Sequence, residues 1–265
     1  MSALMMVISP AKTLDFEQPS STEIATQIRF PDESARLIDL LRRCTVADLR
    51  GLMSISSQLA ELNVQRFSDW QWPMPSDRSK QAVLAFQGDV YTGLDAASLS
   101  EAQLKQAQSQ LRILSGLYGL LRPLDNILPY RLEMGTALSS ERGRNLYQWW
   151  GNQITDLLAQ DMQQEGASVL VNLASNEYFK AISTGRLSTP VITPEFRDYK
   201  NDQYKIISFF AKKARGMMVR YILEQGVDRV EGLKDFNMAG YRYDARRSDE
   251  KRICFLRDEP LQQEG

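Results

Sequence analysis

Residues 111–135 contain a glycine pair followed by two arginines, residue types that can bind phosphate in a turn. Gly116 and Gly119 interrupt an apolar run, which then gains Arg122 and Arg131. Glycine lets the backbone approach a ligand closely, so turn N–H groups can converge on a phosphate oxygen while the arginines supply positive charge. The alternative is a structural turn between two buried elements. The segment is therefore a candidate anion site, as a hypothesis drawn from a short motif.

A second candidate anion site lies in residues 203–223, which contain no acidic residue. Its five cations are Lys205, Lys212, Lys213, Arg215 and Arg220. The pattern predicts a helix from Lys212 to Gln225, which begins with Lys-Lys-x-Arg although the helix dipole favours negative charge there. A bound phosphate would relieve that conflict, because free N–H groups at helix starts bind anions. A solvated basic face with its aliphatic stems on the core is the alternative.

Polar side chains also follow several predicted strands, at the point where each strand ends. Lys12 follows the first strand, Asp89 lies in a Gly-Asp turn, and Glu177 follows a later apolar strand. Ligands of α/β proteins gather at the carboxyl ends of strands, so these side chains would meet in one cleft if the strands share a sheet. Simple turns are the alternative, with Ser175 or Asn176 capping a helix that has Glu177 in its first turn.

Histidine is absent from the 265 residues, and this excludes several classes of enzyme. Ser-His-Asp and Cys-His nucleophilic sites and His-ligated metal centres cannot form. Cys44 and Cys254 are the two cysteines, which argues against a disulfide framework and against a four-ligand zinc site. Proton transfer would fall to Asp, Glu, Lys, Tyr or Cys. We expect no cofactor and no metal.

The elements that must position these residues are short apolar runs and longer periodic segments. The predicted strands are Leu4–Ser9, Ala82–Phe86, Val169–Ala174, Pro190–Phe196, Tyr204–Ala211 and Arg252–Arg257. The predicted helices are 32–43, 46–70, one opened by Ser100 with Gln103, 144–165 and 212–225, and Thr45 with Asp48 begins the second. The Trp-rich aromatics of 144–165 are expected in the core, and residues 70–79 are expected to form a surface loop.

This order of elements predicts a mixed α/β (α+β) protein with a central sheet in an irregular, single-domain fold over residues 1–265. A tidy βαβ alternation is missing before residue 165, which argues against a simple doubly wound sheet. No apolar stretch approaches the roughly 18 to 20 residues that span a bilayer, and the N-terminus lacks a basic region before its short apolar run. We therefore expect a soluble, cytoplasmic protein that does not interact with membranes.

Seven segments taken together resemble a known bacterial family. They are SPAKTLD (Ser9–Asp15), FQGDVYTGL (Phe86–Leu94), LSGLYGLLRPLD (Leu114–Asp125), PYRLEMG (Pro129–Gly135), LYQWWG (Leu146–Gly151), NLASNEYFK (Asn172–Lys180) and SFFAKKARGMMVR (Ser208–Arg220). In this order they resemble the YaaA family of peroxide-stress-resistance proteins, over about residues 6–256. The resemblance implies a cytosolic protein that protects cells from hydrogen peroxide, apparently by limiting damage to DNA from unincorporated iron.

The resemblance also implies DNA binding through a positively charged cleft and a helix-hairpin-helix element. The best candidate for that element in this chain is Leu114–Gly119. It departs from the common pattern, because two residues separate its glycines where the usual hairpin has one, and Ser115 stands where proline is common. The assignment of Gly116 and Gly119 to phosphate contact depends on this placement.

The leading hypothesis is a protein that binds duplex or distorted DNA through its phosphates. The expected phosphate-binding residues are Lys12, Gly116, Gly119, Arg122, Arg131, Lys212, Lys213 and Arg215. The formal net charge is only −1, so charge asymmetry between faces would have to steer the DNA. The sequence leaves the oligomeric state open.

Two alternatives belong to other classes of function. An enzyme acting on a nucleobase, a nucleotide or a DNA lesion would use Asp89, Glu133 or Glu177 as acid or base, with the lysines holding phosphate. An iron-sequestering protein built from carboxylates would also explain peroxide protection. The sequence supports it poorly, since there is no Glu-x-x-His motif.

Overall fold

A mixed eight-stranded sheet forms the centre of the computed structural model, which describes residues 4–258. The strands are β1 Leu4–Ile8, β2 Thr13–Leu14, β3 Lys80–Gln81, β4 Phe86–Gln87, β5 Leu111–Ser115, β6 Gly119–Leu121, β7 Asn126–Ile127, β8 Val169–Leu173, β9 Val191–Lys200, β10 Gln203–Lys205, β11 Arg242–Tyr243 and β12 Arg252–Arg257. The sheet has the order β11-β12-β9-β8-β1-β5-β6, and β10 pairs with β9. Two small two-stranded sheets, β2 with β4 and β3 with β7, lie outside it.

Five parallel strands, β12, β9, β8, β1 and β5, make up the middle of the large sheet. Every residue of β1 is buried, as expected for a parallel strand with both faces covered. The residues of β9 are alternately buried from Ile192 to Asp198, which is the period of a strand with one face on the core. The antiparallel strands β6 and β11 form the ends of the sheet.

The position of β1 between β5 and β8 defines a crevice at the carboxyl edge of the sheet. From β1 the chain runs to β5 on one side, and it then crosses to β8 on the other side of β1. Loops that leave neighbouring parallel strands in opposite directions separate at that edge, which is where α/β proteins bind ligands.

Eleven α-helices cover the sheet within the described part of the chain. They are α1 Pro31–Leu41, α2 Val46–Met53, α3 Ser57–Asp69, α4 Ala82–Ala85, α5 Asp89–Leu94, α6 Glu101–Gln110, α7 Leu146–Trp150, α8 Gln153–Glu165, α9 Asn176–Phe179, α10 Ser208–Gln225 and α11 Val230–Leu233. Short 3-10 turns lie at Ala96–Ser98, Thr184–Arg186, Met238–Gly240 and Ala245–Arg247. None of these helices combines the length and apolar composition that a bilayer crossing requires.

The helix starts read from the sequence are confirmed where a capping box was visible. Thr45 and Asp48 form a reciprocal box at the start of α2, and Ser100 with Gln103 does the same for α6. In each box the hydroxyl accepts from the backbone of the third helical residue, whose side chain accepts from the cap backbone. Ser175 caps α9 by accepting from the backbone N–H of Tyr178.

Two predicted long helices are each divided in two. The segment 46–70 breaks after α2 because Ser54 takes a left-handed conformation, with φ of 52°. The segment 144–165 breaks after α7 at Gly151, where φ is 50°. The core prediction for this segment is confirmed, since Trp149 and Trp150 are buried. The surface loop predicted for residues 70–79 is also confirmed, although Trp70 itself is buried.

Two predicted strands are wrong. Both are short apolar runs, for which periodicity does not distinguish a strand from a helix. Residues 82–85 form helix α4, followed by the two-residue strand β4. The run 204–211 contains the end of β10 and then the first turn of α10. The strands predicted at 4–9, 169–174, 190–196 and 252–257 correspond to β1, β8, β9 and β12. The mixed α/β fold class is confirmed.

The helix-hairpin-helix placement at 114–119 is also wrong. Strands β5 and β6 pair antiparallel, with Ser115 opposite Gly119, so this segment is the turn of a β-hairpin. The chain there is buried, and its turn packs under α7. Two glycines next to an apolar run therefore mark a tight internal turn here, because the hairpin is part of the sheet.

Candidate functional site

The ends of β1 and β8 are held together by a pair of serines at the carboxyl edge of the sheet. Ser9 Oγ accepts from the Ser175 backbone N–H at 2.8 Å and donates to Ser175 Oγ at 3.2 Å. Tyr91 of α5 donates its hydroxyl to the Ser9 carbonyl at 3.1 Å. The strand ends that the sequence analysis singled out are thus neighbours, and α5 is fixed beside them.

Three tyrosines form the inner wall of the space above these strand ends. Burial raises the pKa of Tyr91, Tyr130 and Tyr178 well above the usual value, so all three hydroxyls stay protonated at neutral pH. Tyr130 exchanges a hydrogen bond of 2.7 Å with Ser115. The negative charges of Glu177 and Glu133 add to the effect on Tyr178.

Between these elements lies a cavity of about 450 Å³, which we call the cleft. This volume is that of a site for a small molecule or for one unit of a polymer. Seven charged side chains line it, namely the cations of Lys12, Arg131, Lys212 and Arg215 and the carboxylates of Asp89, Glu133 and Glu177. The cleft therefore has mixed charge, with one more cation than carboxylates.

Glu133 neutralises two of the four cations of the cleft. Its Oε2 lies 2.8 Å from Lys12 Nζ, and its Oε1 lies 3.1 Å from the Arg131 guanidinium. Lys12 is at the mouth, since 63% of its side chain is exposed, whereas only 15% of Arg131 is exposed. Arg131 Nε is buried and has no hydrogen-bond partner within residues 4–258.

The two cations on α10 have no such neutralisation. No hydrogen bond or ion pair engages the side chains of Lys212 and Arg215 within the described residues. Burial lowers the pKa of Arg215, and no carboxylate offsets that effect. A partly desolvated guanidinium without a counter-charge is an unfavourable state that a bound anion would relieve.

Glycines at the crossing of α5 and α10 fix where these cations lie. A Cβ added at Gly216 would come within 1.8 Å of the Val90 carbonyl oxygen, and one at Gly93 within 2.1 Å of the Lys213 carbonyl oxygen. The two helix backbones are thus in direct contact. Because Arg215 precedes Gly216, this contact places its side chain at the cleft beside the start of α5.

The predicted acidic candidates differ in their surroundings. Asp89, in the first turn of α5, has no hydrogen-bond or ion-pair partner among residues 4–258. Glu177 is exposed, and its Oε1 accepts from the Gly135 backbone N–H at 2.9 Å. Glu133 is held between Lys12 and Arg131. Asp89 is therefore the carboxylate of the cleft with the greatest freedom to meet a ligand.

Four predicted phosphate-binding residues do not line the cleft. A Cβ at Gly116 would lie 2.3 Å from the Leu132 carbonyl oxygen, and Gly119 has φ of 70° with the Trp150 ring against its Cα. Arg122 is held by the fully buried Asp125, 2.9 Å away. Lys213 follows Lys212 on α10 but is not among the lining residues. Sequence placed these residues by charge and type, whereas packing determines which way they face.

The position of the α10 cations in their helix also differs from the prediction. The helix begins at Ser208, four residues earlier than expected, so Lys212 lies in its second turn. The expected conflict between a basic first turn and the helix dipole is therefore wrong, because that effect fades beyond the first turn. The argument for an anion at this place now comes from the lack of a counter-charge.

Other residues of the cleft gave no chemical signal in the sequence. The sequence analysis did not single out Tyr91, Tyr130 or Tyr178, although Tyr91 lies two residues after Asp89 and Tyr178 directly follows Glu177. Among residues 4–258 there is no group of three or more Asp, Glu or Cys side chains that could hold a metal ion. Of the three carboxylates of the cleft, only Glu133 forms ion pairs among the described residues.

Fold and site together define a mixed α/β protein with a small, charged cleft at the carboxyl edge of a largely parallel sheet. A sequence model described as peroxide stress protein YaaA matches residues 4–247 of this chain. That match covers all residues that line the cleft and every strand of the large sheet except β12.

Relatives from Cellvibrio and Shewanella species resemble the chain over almost its whole length. A UPF0246 protein of Cellvibrio japonicus is 56% identical over 258 residues, which is 97% of this chain and 100% of that protein. A UPF0246 protein of Shewanella baltica (strain OS223) is 54% identical, with 97% and 100% covered, and one of Shewanella oneidensis is 53% identical, with 96% and 99% covered. The chain belongs to the YaaA family of peroxide stress proteins.

Proposed function

We propose that this peroxide stress protein binds DNA through its phosphates at the mouth of the cleft. The observation that carries the proposal is the pair of unneutralised cations, Lys212 and Arg215, on a helix that packing holds in place. Phosphate is the anion that such a pair favours in nucleic acid, because a guanidinium binds its oxygens by two parallel hydrogen bonds. Lys12, exposed at the mouth, would supply a third contact by exchanging its partner Glu133 for the phosphate.

The size of the cleft limits how DNA would bind. About 450 Å³ accommodates a phosphate with its sugar, but not a double helix. The duplex would therefore lie across the mouth, with one backbone entering between α10 and the loop that contains Lys12. Contacts of this kind position DNA without reading its sequence, so the protein would recognise shape and charge.

A salt titration of DNA affinity tests this directly. For the wild-type protein, the logarithm of the affinity should fall linearly with the logarithm of salt concentration, with a slope of about −0.9 for each phosphate neutralised. Arg215→Gln and Lys212→Gln should each weaken binding for all sequences alike and reduce the slope by about 1. Salt-independent binding, or none at low salt, would refute the proposal.

Lys251→Gln is the matched control for these variants. Lys251 is exposed and comes just before β12, at the amino edge of the sheet, opposite the cleft. Lys251→Gln changes the net charge by the same amount as Lys212→Gln. A loss of DNA affinity caused by net charge alone would therefore appear in both variants. If Lys251→Gln binds DNA with unchanged affinity, the loss seen in Lys212→Gln is caused by its place in the cleft.

The proposed link to peroxide resistance is displacement of iron from DNA. Cations condensed on DNA, including ferrous iron, are released where lysine and arginine neutralise phosphates. Hydroxyl radicals formed from peroxide by iron would then arise away from the covered backbone. Nicking of a plasmid by ferrous iron and peroxide should decrease with wild-type protein and not with the Lys212→Gln, Arg215→Gln double variant. Equal protection by both proteins would contradict this link.

A second function is favoured by one observation, the unpaired Asp89 facing the same cleft as Arg215. A carboxylate beside a phosphate-binding cation is the arrangement of an enzyme that acts on a nucleotide or on a damaged nucleotide in DNA, with Asp89 as acid or base. Turnover of a panel of nucleotides and damaged oligonucleotides, abolished by Asp89→Asn with DNA affinity retained, would establish it. An inactive wild-type protein across the panel would remove it.

A further inference from the structure

A second cavity, of about 470 Å³, lies on the other side of residues 128–133 from the cleft. Residues 16–20, the end of α3, and residues 77–80 surround it. Phe16, Trp70, Leu128 and Pro129 give it an apolar wall. Its volume is again that of a small-molecule site.

Arg66 of α3 lines this cavity, and its guanidinium is unpaired within the described part of the chain. Among the residues that the structure describes, no hydrogen bond or ion pair engages its guanidinium. Burial lowers the pKa of Arg66, and the positive charge of Arg131 lowers it further. The positive charge of Arg131 thus acts on Arg66, which has no counter-charge among residues 4–258, and the Nε of Arg131 is itself buried without a hydrogen-bond partner there. An anion at Arg66 would remove both the desolvation and the repulsion.

The loop that faces Arg66 is fixed without using that arginine. Lys80 is buried, and its ammonium donates to the carbonyl oxygens of Asp15 and Gln18 at 2.9 Å each. The Asp15 carboxylate accepts from the backbone N–H groups of Glu17 and Gln18. The wall formed by residues 16–18 is therefore preformed, and ligand binding would cost little conformational entropy there.

The other charges of the cavity restrict the ligand. Glu17, Asp69 and Asp77 also line it, as do the cations of Arg78 and Lys80, and none of the three carboxylates contributes to the shifted pKa of Arg66. Because the three carboxylates balance the three cations, the cavity has no excess positive charge that would attract a polyanion such as a nucleic acid backbone. A ligand with a single negative charge and an apolar body satisfies Arg66 and the apolar wall without meeting the acids.

We infer that this second cavity is a binding site for a small organic monoanion, whose charged group pairs with Arg66 and whose apolar body packs against Phe16, Leu128 and Pro129. The inference does not depend on DNA binding. It concerns a site distinct from the cleft, although Arg131 lies close to both.

The dye 8-anilinonaphthalene-1-sulfonate is a suitable probe, since it has one sulfonate on an aromatic body and fluoresces in apolar surroundings. The wild-type chain should bind one equivalent saturably. Arg66→Gln should weaken binding about tenfold, as expected for a lost charge-assisted hydrogen bond, and Arg66→Lys by less. The uncharged parent dye, N-phenyl-1-naphthylamine, should bind wild type and Arg66→Gln alike, because only the anion needs the guanidinium.

Variants of the cleft separate the two sites. Lys212→Gln and Arg215→Gln should bind the dye as the wild type does. Unchanged binding by Arg66→Gln, weakened binding by the cleft variants, or displacement of the dye by a short DNA duplex would each overturn the inference.

Thermal unfolding without ligand provides a second measurement. Arg66→Gln should melt at or above the wild-type temperature, because it removes an unpaired charge next to Arg131. A lower melting temperature would show that the guanidinium supports the fold instead of awaiting a ligand, and would also overturn the inference.

Discussion

Two sets of arginines in this molecule have opposite surroundings. Arg112 of β5 is almost fully buried, and its Nε lies 2.5 Å from Asp161 Oδ2, where Arg29 also pairs. At the other end of the sheet, Arg257 is 2.6 Å from the fully buried Asp198. By contrast, Arg215 at the cleft and Arg66 at the second cavity are partly desolvated and form no ion pair with any carboxylate among residues 4–258. Buried charges in proteins are normally paired, so the unpaired ones are the positions that indicate a ligand.

The difference teaches that the basic character of a segment does not by itself locate an anion site. Arg122 lies in residues 111–135, the segment with the most sequence signals for an anion site. It forms an ion pair with Asp125, whose carboxylate also accepts a hydrogen bond from the Thr26 hydroxyl. Lys12 and Arg131 line the cleft but share one carboxylate. Only pairing in three dimensions shows which charges are available.

The largest effect is expected from Asp161→Asn, which tests the ion-paired arginines. It leaves the buried guanidiniums of Arg112 and Arg29 without their carboxylate. The free energy of unfolding should fall by about 3–5 kcal/mol, the usual loss when one partner of a buried ion pair is removed. Urea denaturation measures it. Asp156→Asn is the control, because Asp156 and Arg186 are both about half exposed and such pairs contribute less than about 1 kcal/mol. Equal effects of the two variants would contradict the comparison.

Gly216→Ala tests whether packing fixes the unpaired set. Its Cβ would overlap the Val90 carbonyl oxygen, so α10 must move away from α5, with a loss of about 1–3 kcal/mol in stability and a parallel loss of DNA affinity. Gly51→Ala is the matched control in α2, where nothing lies within 4 Å of the added Cβ. That variant should gain up to about 1 kcal/mol from helix propensity. Full stability of Gly216→Ala would show that the helix contact is not as tight as described.

Arg215→Gln should separate binding from stability. Because burial already disfavours its charge and no carboxylate depends on it, the free energy of unfolding should change by no more than about 0.5 kcal/mol while DNA affinity falls. Arg112→Gln should do the opposite, with a large loss of stability. Chemical denaturation and a DNA titration on both variants measure the two effects. A strongly destabilised Arg215→Gln would show that Arg215 supports the fold, as the ion-paired arginines do.

The smallest effect is expected from the pH dependence of Asp15→Asn. Hydrogen bonds from the backbone of Gln18 and Glu17, with the charge of Lys80, lower the pKa of Asp15 in the folded protein. A lowered folded pKa contributes stability above the unfolded value near 4, and that contribution disappears as pH falls through the folded value. The stability difference between wild type and Asp15→Asn should therefore shrink below pH of about 4. A constant difference down to the acid transition would refute it.

Much of the fold was readable because strong local signals coincide with the tertiary structure. The buried strands β1, β8 and β12 and the capping boxes of α2 and α6 follow from hydrophobic runs and polar caps. The short apolar runs at 82–86 and 204–211 were misread, because their length allows either a strand or a helical turn. The hairpin at 114–119 was misread because glycine pairs serve both ligand turns and tight packing.

For the site, the sequence by itself determined which chemical groups follow the strands, including Lys12, Asp89 and Glu177, and it excluded histidine chemistry altogether. These facts depend only on residue type and on the local pattern of a strand followed by polar residues. The tertiary structure alone decided which cations form an ion pair with a carboxylate. Arg122 and Arg215 look alike in the sequence, but among the residues that the structure describes a carboxylate pairs with Arg122 and none pairs with Arg215, since pairing depends on which elements the fold brings together.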